Sequence, residues 1–152
     1  MHVGRLGRGE VLAVLGGFLL ALGLFLPWYR TNPANPNAEI DGLRGSLSGW
    51  EAHPVLRWPL LAAAAAPLIL AWIVLRDHEL SWPRGELTGV VAMIAFALVL
   101  YVGVVARPGS PSGEISLQAG WFLATLGSVL VIAGGATRAG TTERPRKPPG
   151  VL

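Results

Sequence analysis

Residues 11–29 read VLAVLGGFLLALGLFLPWY, an uncharged run that ends in proline, tryptophan and tyrosine and is followed at once by Arg30. Its length decides the reading. A helix rises about 1.5 Å per residue and a bilayer core is about 30 Å thick, so roughly 20 apolar residues span it. The same gap in charge recurs along the chain. No charged residue falls between Glu10 and Arg30 (19 residues), Arg57 and Arg76 (18), Glu86 and Arg107 (20), or Glu114 and Arg138 (23). Charged residues make up 14% of the 152, well under the roughly 25% of soluble domains. A soluble bundle would carry a polar stripe along each helix, and these segments carry none.

The sequence therefore predicts an all-α membrane protein, an up-down bundle of four transmembrane helices in a single domain over residues 1–137. The expected spans are 11–29, 54–75, 87–106 and 117–136, with a long outer loop at 30–53. Residues 138–152 form a basic, proline-rich tail that is expected to be disordered. The apolar run of the first span is longer than the core of a signal peptide, so it is read as retained. Pro67 interrupts the second span at mid-depth, where it removes one backbone hydrogen bond and predicts a kink.

Orientation follows from the cations. With the N-terminus inside, the inner segments hold Arg5, Arg8, Arg76, Arg84, Arg138, Arg144, Arg146 and Lys147, and the outer ones hold Arg30, Arg44, Arg57 and Arg107. Eight against four satisfies the positive-inside rule, so both termini of a multi-pass cell-membrane protein are expected in the cytoplasm. The net charge of +3 belongs to these flanking cations. It points to lipid rather than nucleic acid. Trp28, Tyr29, Trp58 and Trp121 fall at the outer ends of spans and are expected to anchor in the headgroup layer.

Glycines recur with a seven-residue period. Gly9, Gly16 and Gly23 run through the first span, and Gly120, Gly127 and Gly134 through the fourth. Small residues let membrane helices approach closely, and the period keeps them on one stripe. The two stripes are expected to pack antiparallel, Gly16 beside Gly127 and Gly23 beside Gly120.

Chemistry-bearing patterns are few. The chain has no cysteine, which removes disulfides and thiolate chemistry. No acidic residue stands at mid-span, where a proton or ion pathway would need one. His53 shares its loop with Glu39, Asp41 and Glu51, but a proline- and asparagine-rich loop is a poor frame for converging metal ligands. Arg76-Asp77-His78-Glu79 reads as a hydrated hairpin. No cofactor and no enzymatic activity is expected. In the outer loop, Ser48-Gly49-Trp50-Glu51 fits a capping box. Residues 31–42 are turn and breaker residues that mainly supply reach, whereas Leu43, Leu47 and Trp50 would share a helical face in a short turn ending at Pro54, with an extended stretch over residues 43–49 as the rival, and form the candidate interaction surface. The favoured function is a structural or interaction protein, an accessory subunit that presents this loop to a membrane protein partner. The alternative is a small transporter or pore.

FLPWY closing the first span, SGWEA before the second and GWFLATLGSVLVIAGG in the fourth resemble small four-span membrane proteins of high-GC bacteria. The loop tryptophan between the first two spans also resembles claudin-like tetraspan proteins in topology, although the paired loop cysteines of that group are missing here. These resemblances imply a four-span membrane fold and supply no catalytic residues.

Overall fold

The computed structural model describes residues 7–76 and 86–141. Residues 77–85, which include the expected hairpin at Asp77-His78-Glu79, the first six residues and residues 142–152 of the basic tail lie outside the described part. The chain is mostly helical. Four helices among the described residues are long and apolar enough to cross a membrane. The elements in order are α1 (Arg8–Phe25), β1 (Pro27–Thr31), β2 (Ser46–Ser48), α2 (Gly49–Ala52), α3 (Arg57–Leu75), α4 (Glu86–Leu100), a π-turn (Tyr101–Val105), a 3-10 turn (Ser112–Glu114), β3 (Ile115–Leu117) and α5 (Ala119–Thr141).

The all-α expectation is corrected by a three-stranded antiparallel sheet in the order β2-β1-β3. The first span stops at Phe25, not Tyr29. Pro27 disfavours the helical conformation at the residue before it, and Leu26 is extended with φ −85° and ψ 160°. The following Trp-Tyr-Arg-Thr is rich in residues that suit a strand. The second span starts at Arg57 rather than Pro54, after a turn over residues 54–56. The fourth starts at Ala119, because residues 115–117 are taken into β3, and it runs on to Thr141. Helix thus covers the first residues of the tail.

Helices α1 and α5 run antiparallel with their backbones in close approach. A β-carbon placed on Gly16 would stand 2.6 Å from the Gly127 carbonyl oxygen. One on Gly23 would stand 2.9 Å from the Gly120 oxygen, and one on Gly134 would stand 2.5 Å from the Gly9 oxygen. Real β-carbons do not come so near, so each position admits only glycine at this separation. On its other side α1 meets α3 through Gly17, whose hypothetical β-carbon would lie 2.5 Å from the Ala64 oxygen and 2.7 Å from Pro67 Cγ. The ring of Pro67 is fully buried in that notch. Helix α4 packs on α5, and α3 touches α4 much less than either touches its main neighbour. The faces turned away from these contacts carry large exposed apolar side chains, among them Phe18, Ile69, Ile94 and Phe122.

Candidate functional site

All three strands lie at one end of the helices, and the surface they make is drawn from two loops distant in sequence. Tyr29 pairs with Leu47 on one side and Leu117 on the other. The ladder with β3 is extended by Asn32 N–H to the Glu114 oxygen and Gln118 N–H to the Trp28 oxygen, both 2.8 Å. Beyond it, Glu39 and Ser110 exchange backbone hydrogen bonds of 3.1 and 2.9 Å. The turn at 40–45 uses positive φ at Asp41 (51°), Gly42 (77°) and Gly45 (100°). Thr31 Oγ1 accepts from Gly45 N–H at 2.8 Å. Asn32 and Asn35 side chains accept from the backbone two residues on, at 3.0 and 2.9 Å. Residues expected to supply only reach are thus folded, because asparagine, glycine and aspartate satisfy their backbone locally.

Beneath the sheet lies an aromatic floor, and this corrects the role expected of three residues. Trp28 and Tyr29 are wholly buried and Trp121 is 8% exposed, so none of them lies open to a headgroup layer. Each polar tip is satisfied inside the protein. Trp28 Nε1 donates to the Gly23 oxygen at 2.7 Å, and Trp121 Nε1 to the Val99 oxygen at 2.9 Å. The Tyr29 hydroxyl donates to the Val102 oxygen at 3.0 Å and lies 2.8 Å from His53 Nε2. A phenol has one proton to give, and with Val102 receiving it, His53 Nε2–H is the donor to Tyr29. Arg107 adds Nε to the Gly103 oxygen at 3.0 Å and Nη1 to the Ile115 oxygen at 2.8 Å. Four side chains therefore take up carbonyls of α1, of β3 and of the end of α4, where a π-turn and a helix terminus leave acceptors free. Gly103 lies directly under the Trp121 ring and Gly49 under the Trp28 ring, with no room for a β-carbon at either.

Burial sets the protonation of this floor. It pushes the Tyr29 phenol well above its ordinary value, an effect that the charge of Arg107 partly offsets. Burial also holds His53 below its ordinary value, against the opposing pull of Asp41. Both groups are neutral at physiological pH, and the bond from Tyr29 to Val102 needs the phenol so.

At the rim, the capping box forms. Glu51 N–H donates to Ser48 Oγ at 3.2 Å, and Ser48 N–H donates to Glu51 Oε2 at 2.9 Å. Ser48 Oγ also donates to Glu51 Oε2 at 2.8 Å, and the backbone and hydroxyl donors of Ser48 together lower the Glu51 pKa. Leu43, Leu47 and Trp50 do not share a face. Leu47 is buried within β2, Leu43 is exposed at the turn, and Trp50 stands on α2. Trp50 stacks on Phe25 at 5.0 Å and meets Trp58 edge-on at 5.3 Å. Trp58, the fourth expected anchor, is more than half exposed.

His53, Arg107 and Gly17 form contacts that reading along the chain did not single out. The signal for His53 and Arg107 is weak, because their partners lie far off in sequence. Gly17 falls one position off the seven-residue stripe and so faces a different helix. No family model, no curated protein and no solved structure matches this chain.

Proposed function

We propose that the chain is a multi-pass protein of a bacterial inner membrane, an up-down bundle of four spans with both termini in the cytoplasm. Its role is that of a non-enzymatic interaction protein, an accessory subunit that presents a prefolded outer platform to a membrane protein partner. The observation that carries this reading is the platform itself. Two loops that could have been short turns instead combine into a sheet held on a buried aromatic floor. A floor of that kind fixes the position of exposed residues, and preorganised surfaces lose less entropy on docking. Leu43, Asn37 and Ser112 are the exposed points at which a partner would be felt.

The test is site-specific photocrosslinking in intact cells. A benzoylphenylalanine placed singly at Leu43, Asn37 and Ser112 is expected to capture a common partner in a discrete adduct. No adduct at any of the three positions would remove the interaction reading.

A further inference from the structure

Arg57 opens α3 beside the platform, and its surroundings are unusual. Its guanidinium carbon lies 4.8 Å from the centroid of the Trp50 ring and 5.4 Å from that of Trp58, both within cation–π range. Phe25, the last residue of α1, backs the Trp50 ring. Among the described residues nothing anionic completes this arrangement. Arg57 Nε is the one buried side-chain polar atom without a hydrogen-bond partner there, and the guanidinium has no carboxylate beside it. Arg107 differs in the first respect, since backbone carbonyls take up its nitrogens. A cation held only by ring faces has its strong hydrogen bonds still to make, in its own plane.

What lies next to it is apolar. Val11, Leu15, Phe18, Leu22 and Phe25 are spaced four, three, four and three residues apart and are all exposed. That spacing places them on one stripe of α1, which ends at the Phe25–Trp50 stack. From Phe25 to Leu15 the stripe runs about 15 Å, the depth of one leaflet's hydrocarbon. A cation at the head of a leaflet-long apolar track matches one molecule, a phospholipid.

We propose that Arg57, flanked by Trp50 and Trp58, binds the phosphate of an anionic phospholipid of the outer leaflet, with an acyl chain lying along Phe25, Leu22 and Phe18. The planar fork of arginine suits two phosphate oxygens. An anionic headgroup is favoured over a zwitterionic one, because the charge of the guanidinium has no ion-pair partner among the described residues. The inference rests on the membrane-spanning reading above and goes beyond it by naming a ligand and a site.

The test is native mass spectrometry of the full chain, released from detergent after titration with palmitoyl-oleoyl phosphatidylglycerol or the matching phosphatidylcholine. The wild type is expected to retain phosphatidylglycerol in preference. Arg57→Gln should weaken that retention roughly tenfold or more, the effect of losing a charge-assisted hydrogen-bonded contact. Arg57→Lys keeps the charge without the fork and should fall between the two. It decides the matter if Arg57→Gln does not fold. Inorganic phosphate should not displace the lipid, since it brings no chain for the stripe. Equal phosphatidylglycerol retention in wild type and folded variants would overturn the proposal. So would loss of a dimer signal in place of lipid, which would assign Arg57 to a second copy. Alkaline carbonate extraction of membranes separates the two readings. Release of the protein into the soluble fraction would fail the spanning reading, whereas retention with unchanged lipid binding would fail the lipid site alone.

Discussion

The carbonyl oxygen of Gly127 lies 2.6 Å from where a β-carbon on Gly16 would stand, so the α1 and α5 backbones touch at this level. Gly16→Leu and Gly127→Leu should each force the helices apart. Overpacking a tight core costs about 1–3 kcal/mol and occasionally more. Thermal melts in detergent should show the loss for both variants. Gly89 is the control, because a β-carbon added there would meet nothing within 4 Å, and Gly89→Ala should melt with the wild type. Equal melting of all four proteins would contradict the close approach.

Glu39 and Ser110 exchange both backbone hydrogen bonds. Cα atoms in such pairs are about 5.5 Å apart, within the range a disulfide bridges. Since the chain has no cysteine of its own, Glu39→Cys with Ser110→Cys should crosslink cleanly under mild oxidant. The product should migrate faster on a non-reducing gel. Failure to crosslink would mean that the two loops are not joined.

His53 titrates below its ordinary 6.5 in the folded protein because it is buried. Between that lowered value and 6.5, the unfolded chain binds a proton that the folded one refuses. Stability is therefore full above 6.5 and falls as pH drops through the folded value. Melting temperature should decline over this window in the wild type. His53→Gln, which can still donate to Tyr29, should lose that part of the pH dependence. Parallel curves for the two proteins would show that His53 is not the titrating group.

Trp50 is half-buried against Phe25, Trp58 and Arg57. Trp50→Ala should destabilise by less than the roughly 3–5 kcal/mol of a fully buried tryptophan. Trp28→Ala, at a wholly buried position, should cost more. Chemical denaturation of the two variants in one detergent gives the order, and a reversed order would displace Trp28 from the floor.

The four membrane-length helices were legible because charge and hydropathy are local properties of 18 to 23 consecutive residues. The sheet was not, and the reason is distance. Whether Trp28-Tyr29-Arg30-Thr31 continues a helix or forms a strand depends on Leu47 and Leu117, its partners in the ladder. Pairing across that separation leaves no periodic trace in a five-residue strand. The aromatic residues misled for a related reason. A tryptophan at a span end reads the same whether its N–H meets a headgroup or the Gly23 carbonyl. The capping box at Ser48 and Glu51 was legible since it is complete within four residues. The spacing of Gly16 and Gly127 shows in the sequence because close approach along one stripe has a period. Arg57 between two indoles shows none, since Trp50 reaches it only through the turn at 54–56.

Strand β1 sits between two edges that differ greatly in age. On the ribosome Ser46–Ser48 emerges soon after Pro27–Thr31, but Ile115–Leu117 follows it by about 85 residues, roughly 4–17 s of synthesis at ordinary rates. Through that interval Trp28 and Tyr29 have no β3 beside them, and Val102, which receives the phenol, is made only shortly before it. The sheet is therefore completed late, and a chain truncated before β3 would display an unpaired edge on β1 beside two incompletely covered aromatic rings.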